Sequence, residues 1–168
     1  FQKMVRRHPH VFGQEKATTP REVLIQWEAN KRKETGEPSG RSALGGVPSL
    51  LPALLRAYRI QEKASRVGFD WEGIGPVLEK VREEWREFDQ TLKEGNKELQ
   101  DWELGDLLFA LVNLARFLEL HPEEALRRAN ERFIQRFDHI ERRLAEQGKA
   151  PQEASLDEMD ALWEEAKK

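Results

Sequence analysis

The chain has 168 residues, a formal net charge of −3 and a pI near 5.9, a length that fits one domain with a real core plus flanking segments. Charged residues make up 35% and hydrophobic ones 38%, which suits amphipathic helices with narrow apolar stripes and gives no overall attraction to nucleic acid or anionic lipid. No apolar run approaches the roughly 20 residues of a membrane span, the opening FQKMVRRHPHVFG lacks the apolar core of a secretory signal, and zero cysteines exclude disulfide and thiolate chemistry; a cytoplasmic protein with neither nucleic acid polymer nor membrane as partner is expected.

Thr19, Pro20 and Glu22 combine an N-cap hydroxyl, a proline at the first helical position and a capping-box glutamate. They predict a helix from about Pro20 to about Lys33, with Val23, Leu24 and Trp27 on its buried side. The Gly-, Pro- and Ser-rich stretch from Thr35 to Gly46 reads as a flexible linker, so the compact domain is expected to begin at residue 47. Leu51, Leu54, Leu55, Tyr58 and Ile60 then mark a first core helix that Gly68 ends. The FDW segment at Phe69–Trp71 leads into a second helix from about Ile74 to Glu94, stopped by Gly95 and Asn96. A third is expected from about Lys97 to Leu120, and Pro122 opens a fourth that reaches about Gln147. Ser155, Leu156, Asp157 and Glu158 form a capping box for a last helix with Leu156, Met159, Leu162, Trp163 and Ala166 on one side. With no alternating strand pattern anywhere, the expected fold is all-α, a bundle of four to five core helices. Apolar leftovers such as Trp85, Leu108 and Phe109 predict that a second copy completes it as a homodimer.

Two of these helices carry carboxylates against their apolar faces. At about 100° per residue with Val81 at zero, Val77, Val81, Trp85, Phe88 and Leu92 form the stripe, Glu84 falls at about −60° and Glu87 at about −120°. Glu83, at about −160°, faces water. On the third helix Leu107, Leu111, Leu114 and Leu118 make the stripe, with Glu103 at its edge and Asp106 at about −100°. A carboxylate beside a core costs several kcal/mol unless compensated, and four together repel one another. Either these are solvated flank residues in ordinary salt bridges, or a cation sits among them. An antiparallel hairpin brings both acidic pairs to one seam, which favours the cation. All-oxygen ligands suit Mg²⁺, with Mn²⁺ as an alternative; zinc and di-iron sites normally include histidine, and neither His121 nor His139 follows a glutamate at the Glu-x-x-His spacing. His8 and His10 form an isolated H-x-H near one end.

Mg²⁺ held by few carboxylates binds substrate phosphates, so cations are expected nearby. Lys80 lies one turn from Glu84. On the fourth helix Arg132 and Arg136 flank the stripe of Leu126, Ala129, Phe133, Phe137, Ile140 and Leu144, as an i, i+4 pair able either to clamp phosphate oxygens or to pair with surface glutamates. Asn113 is the one polar residue between Leu107 and Ala115, placed to hydrogen-bond a substrate or a neighbouring helix.

E-E-x-x-E at Glu83, Glu84 and Glu87, followed by E-x-x-D at Glu103 and Asp106 in ELGDLLFALVNLAR, resembles the metal signature of the MazG-type, all-α nucleoside triphosphate pyrophosphohydrolases. RRHPHVFG, LPALLRAYRIQEKASRVGFDW, ALRRANERFIQRF and MDALWEEAKK extend the likeness over nearly the whole chain. The resemblance implies residues 1–46 as the tail of a preceding domain, one helix and a linker, and residues 47–168 as the second of two similar halves. It implies Mg²⁺ on Glu84, Glu87, Glu103 and Asp106, and Lys80, Arg132, Arg136, Trp163 and Lys167 on the nucleotide. Phe117 stands where relatives often have histidine.

The reaction so implied is hydrolysis of a ribo- or deoxyribonucleoside triphosphate to the monophosphate and pyrophosphate, with Glu84 or Glu83 as general base and Trp163 or Trp71 either stacked on the base or anchored in the core. The rivals are a related dUTP, dCTP or phosphoribosyl-ATP pyrophosphohydrolase, and a non-catalytic scaffold that binds metal and nucleotide.

Overall fold

A computed structural model describes residues 42–167. The helix expected over Pro20–Lys33, His8 and His10, and the linker before Ser42 lie outside the described residues. Among the described residues the protein is all-α, with five α-helices, one 3-10 turn at Pro151–Glu153 and no strand. The helices are α1 (Ala53–Arg66), α2 (Ile74–Glu94), α3 (Lys97–Phe117), α4 (Pro122–Glu146) and α5 (Leu156–Glu165). They fall into two compact units divided between Pro122 and Glu123.

In the first unit α3 packs against both α1 and α2. Gly95, in the left-handed conformation, ends α2, and Asn96 starts α3 by accepting the backbone N–H groups of Glu98 at 3.1 Å and Leu99 at 3.4 Å. Gln100 donates to the Thr91 carbonyl at 3.0 Å, tying the two helix ends together. Across the other contact, buried Gln61 of α1 donates to the Phe109 carbonyl of α3 at 2.8 Å.

The face that α2 buries differs from the expected one. Val77, Glu84 and Thr91 are its buried residues, one every seven positions, while Trp85 is 58% exposed and Leu92 is also exposed. The buried line is rotated by about 60° from Val81 toward the acids, so Glu84 lies on it rather than beside it. On α3 the buried residues are Leu107, Ala110 and Val112, and Leu111 and Leu118 of the expected stripe are exposed. From Leu107 to Phe117 that helix is apolar nearly all round, so periodicity could not select a face that two neighbours share.

α3 also ends three residues earlier than expected. The Leu120 N–H bonds to the Ala115 carbonyl at 2.8 Å and the Glu119 N–H to the Arg116 carbonyl at 3.1 Å, with Glu119 at φ 56°. This is a Schellman ending with glutamate where α1 uses Gly68 and α4 uses Gly148. Leu118 and Leu120 belong to the cap, not to another turn.

The second unit gathers around Ile140, Leu144 and Leu162, with Phe137, Ala154, Met159 and Trp163 packed on them. Ser155 caps α5 by accepting the Glu158 N–H at 3.2 Å, yet the Glu158 carboxylate does not return to Ser155. It takes the Lys149 ammonium at 2.8 Å, so the expected capping box is half made. Leu156, expected on the buried side of α5, is exposed.

Candidate metal centre

The rotation of α2 has a chemical consequence. Glu84 is only 6% exposed although it carries a carboxylate, and its compensation is Lys80, one turn earlier, at 2.6 Å. The same ammonium reaches Glu83 at 2.7 Å. Glu87 follows on the exposed side, and across the α2–α3 contact stand Glu103, partly buried, and Asp106, exposed.

These side chains converge on Glu84. One carboxylate oxygen from each of Glu83, Glu84 and Glu87 lies within 4.8 Å of the others, and the same holds for Glu84, Glu103 and Asp106. Glu84 therefore joins two triplets, one along α2 and one bridging α2 to α3. Metal–oxygen distances of about 2.1 Å place Mg²⁺ ligand oxygens roughly 3–4 Å apart, so the second triplet fits a divalent cation after small side-chain adjustments. The donor set is all oxygen, which suits Mg²⁺ or Mn²⁺.

Electrostatics show the imbalance. Lys80 is the cation that pairs directly with the seam, through Glu83 and Glu84, and Arg86 adds a weaker pull on Glu83. Desolvation and then the charges of Glu87, Asp106 and Glu84 hold the Glu103 carboxyl above its ordinary range, against the pull of Lys80. The hydrogen bonds that the Lys80 ammonium donates to Glu83 and Glu84 push its pKa up, so it stays charged. Lys80 in turn holds Glu83 below its ordinary value.

The other expected residues lie elsewhere. The Asn113 side-chain carbonyl accepts from Arg116, one turn further along the same helix, at 2.9 and 3.2 Å. Arg116, whose side chain is 14% exposed, forks onto Asp70 at 2.5 and 3.0 Å and stacks on Phe117 at 4.7 Å. This pair pins the FDW segment to the last turns of α3. Nothing in the sequence singled it out, because its partners are 46 positions apart. Trp71 remains exposed in that segment.

Arg132, Arg136, Trp163 and Lys167 belong to the second unit. Arg136 lies over the Trp163 ring at 5.4 Å, and Phe133 meets the same ring at 5.1 Å. Trp163 is thus partly an anchor of the α4–α5 packing. Lys167 pairs with Glu164. Glu83, Glu84, Glu87, Glu103 and Asp106 are brought together with Lys80; Asn113 is placed two turns away on α3.

An all-α protein with a five-acid seam built on a helical hairpin is the class that fold and site define. Residues 59–133 match the family model described as phosphoribosyl-ATP pyrophosphohydrolase, a span that includes the whole seam. Over 99% of its length the chain is 43% identical to a nucleoside triphosphate pyrophosphohydrolase of Escherichia coli, covering 64% of that protein. It is 44% identical to the nucleoside triphosphate pyrophosphohydrolase/pyrophosphatase MazG of Thermotoga maritima, again over 99% of the chain and 62% of the relative. A Bacillus subtilis protein of uncharacterized function, YabN, is 47% identical over 99% of the chain, which covers 34% of it. The chain is thus similar to proteins named as nucleoside triphosphate pyrophosphohydrolases over nearly all of its own length, and it spans just under two thirds of the length of the first two.

Proposed function

We propose that the protein is a divalent-cation-dependent nucleoside triphosphate pyrophosphohydrolase that releases nucleoside monophosphate and pyrophosphate. The observation that carries this reading is Glu84, a buried carboxylate that is paired with Lys80 and shared by two acidic triplets. Its sequence relatives named for that activity support it.

Glu84, Glu87, Glu103 and Asp106 would hold Mg²⁺, or Mn²⁺ in its place. When bound, the ion neutralises phosphate charge and acidifies a water. Glu83, which reaches Glu84 and Glu87 but stands outside the triplet that bridges the helices, would accept that water's proton. Lys80 holds the Glu83 carboxyl below its ordinary range and pairs with Glu84. Arg132 and Arg136 would stabilise phosphate charge, with Trp163 and Lys167 contacting the nucleotide. Asn113, with its oxygen engaged by Arg116, keeps its amide donors for a substrate. Residues 47–168 would be the working domain and residues 1–46 its leading segment. A homodimer would cover the apolar groove of about 640 Å³ lined by Val81, Trp85, Leu107 and Leu111. No helix among the described residues is long and apolar enough to cross a membrane, in keeping with the cytoplasmic setting proposed here.

The test is incubation of the purified chain with each NTP and dNTP, with and without Mg²⁺, beside Glu87→Gln and Asp106→Asn, with chromatography of the products. Monophosphate and pyrophosphate that disappear without metal and in both variants support the reading. A folded, Mg²⁺-loaded protein that turns nothing over counts against it and favours a nucleotide-binding scaffold.

A further inference from the structure

Arg116, in the last turn of α3, makes four hydrogen bonds to two partners. Its Nη1 and Nη2 donate to the Asp70 carboxylate at 3.0 and 2.5 Å, and its Nε and Nη2 donate to Asn113 Oδ1 at 3.2 and 2.9 Å. The side chains of Arg116 and Asp70 are 14% and 16% exposed, so water competes little for the fork. Asp70 Oδ1 also accepts the Trp71 N–H at 2.9 Å, which ties the carboxylate to its own segment. A chain of polar contacts thus runs from the FDW segment through Arg116 to Asn113.

A guanidinium donates and cannot accept, so only the oxygen of the Asn113 amide can face it. That fixes the half-buried amide: Oδ1 is turned to Arg116, and the Nδ2 hydrogens are turned from it, with no partner among the described residues. An unrestrained asparagine offers donor or acceptor by a half-turn of its amide; this one offers donors alone. Asn113 follows Asp106 by seven residues, about 10.5 Å along α3 and about 20° round it, so it stands on the line of the acidic seam, two turns beyond it. A nucleotide whose phosphates gather at the seam extends its nucleoside, not its phosphates, over that distance.

We propose that Arg116, held by Asp70, is a positioning residue: it orients the Asn113 amide so that its N–H groups meet an acceptor atom of the substrate's base. A base carbonyl or ring nitrogen satisfies that fixed donor, whereas an amino group at the same point sets donor against donor and leaves both without a partner. Arg116 and Asp70 do not touch the nucleotide in this arrangement; their effect passes through Asn113. The inference rests on the proposed hydrolase reading for the presence of a nucleotide, and it does not require turnover.

The probes are the α,β-methylene analogues of UTP and dUTP, which resist cleavage between the α and β phosphorus atoms, and inorganic tripolyphosphate, which has no base. Each is titrated calorimetrically into the whole chain with Mg²⁺ present. Asn113→Leu and Arg116→Gln should each weaken both analogues about tenfold and leave tripolyphosphate binding unchanged. The double variant should bind no more weakly than Asn113→Leu alone, because the arginine acts through the asparagine. Arg116→Lys, which keeps a charge for Asp70 without the fork, should lose less, again with no further loss on top of Asn113→Leu, and it serves in place of Arg116→Gln if that variant does not fold. In the wild type either analogue should shift the Asn113 side-chain amide signals in NMR spectra. Losses that add in the double variant give Arg116 a separate, structural role and overturn the inference. So does a folded Asn113→Leu chain that binds both analogues like the wild type, a loss that extends to tripolyphosphate or is confined to the ribose analogue, or an Asn113 amide that neither analogue shifts. A separate assay of hydrolysis distinguishes the two readings. Wild-type turnover without these effects removes this inference alone, and these effects without turnover remove the hydrolase reading alone.

Discussion

Glu124 on α4 and Glu103 on α3 are the same side chain on the flank of a helix, and the protein pushes them in opposite directions. Hydrogen bonding from Arg127, and then from Arg128, holds the Glu124 carboxyl below its ordinary range. Desolvation and the neighbouring Glu87, Asp106 and Glu84 hold Glu103 above it. The first turns of α4 balance Glu124 and Glu131 with Arg127 and Arg128, as solvent-exposed helices do at small gain per pair. In the α2–α3 seam one lysine pairs directly with two of five acids, and Glu103 meets mainly like charge. The same residue types at the same spacings thus give a solvated face in one unit and an unfinished site in the other, and what separates them is the count of compensating cations.

The sharpest break of that comparison is Glu84→Leu. Replacing a buried, partly compensated carboxylate with an apolar side chain on the line of Val77 and Thr91 should raise metal-free stability by about 1 kcal/mol or more. It should also cost at least ~100-fold in turnover, by removing the residue common to both triplets. Thermal melts and a pyrophosphate-release assay read both effects. In the second unit the corresponding blow is structural: Leu144 is 0% exposed, and Leu144→Ala should cost about 3 kcal/mol, read as lost hydrogen-exchange protection in α4 and α5.

Acidification should move the two regions apart. Glu103 is raised, so its protonated form suits the fold: stability falls as pH rises from the ordinary value near 4.5 through the raised one, and the cost persists at neutral pH. Glu124 is lowered, so its contribution is present above 4.5 and is lost as pH falls through its lower value. Carboxyl carbon NMR titrations should show Glu103 titrating above Glu124, with saturating Mg²⁺ bringing Glu103 down and leaving Glu124 unmoved. Coincident titrations would erase the contrast.

The smallest expected effect concerns the end of α3. Glu119 adopts φ 56°, a left-handed conformation that glycine accepts without a Cβ penalty, so Glu119→Gly should stabilise by about 0.5–1 kcal/mol, checked by chemical denaturation. It leaves both charge regions untouched and so calibrates the other variants.

Apart from the end of α3, the helix bounds were legible because their punctuation is local: Gly95 and Asn96, Pro122, Gly148 and Ser155 each act within a turn. So was the convergence of Glu84 with Glu103 and Asp106, since a short hairpin brings its flanks together. The buried face of α3 was not legible. Its apolar surface has no polar side to orient it, and its contacts with α1 and α2 are tertiary. The rotation of α2 that buries Glu84 and exposes Trp85 was hidden for a related reason, because an apolar count centres the stripe on Val81 and puts Glu84 at its border rather than on the buried line. The Asp70–Arg116 clasp carries no local signal at all.

The central claim is that the acidic seam is completed by a divalent cation. Calorimetric titration of the metal-free chain with Mn²⁺ and Mg²⁺, beside Glu84→Gln and Asp106→Asn variants of confirmed helicity, tests it without reference to any substrate. The account predicts saturable binding that both variants weaken by at least ~10-fold, with a cation at about 100 times its dissociation constant stabilising the wild type by about 2.7 kcal/mol. Absence of saturable binding in the folded wild-type chain, or equal binding in both variants, would contradict it.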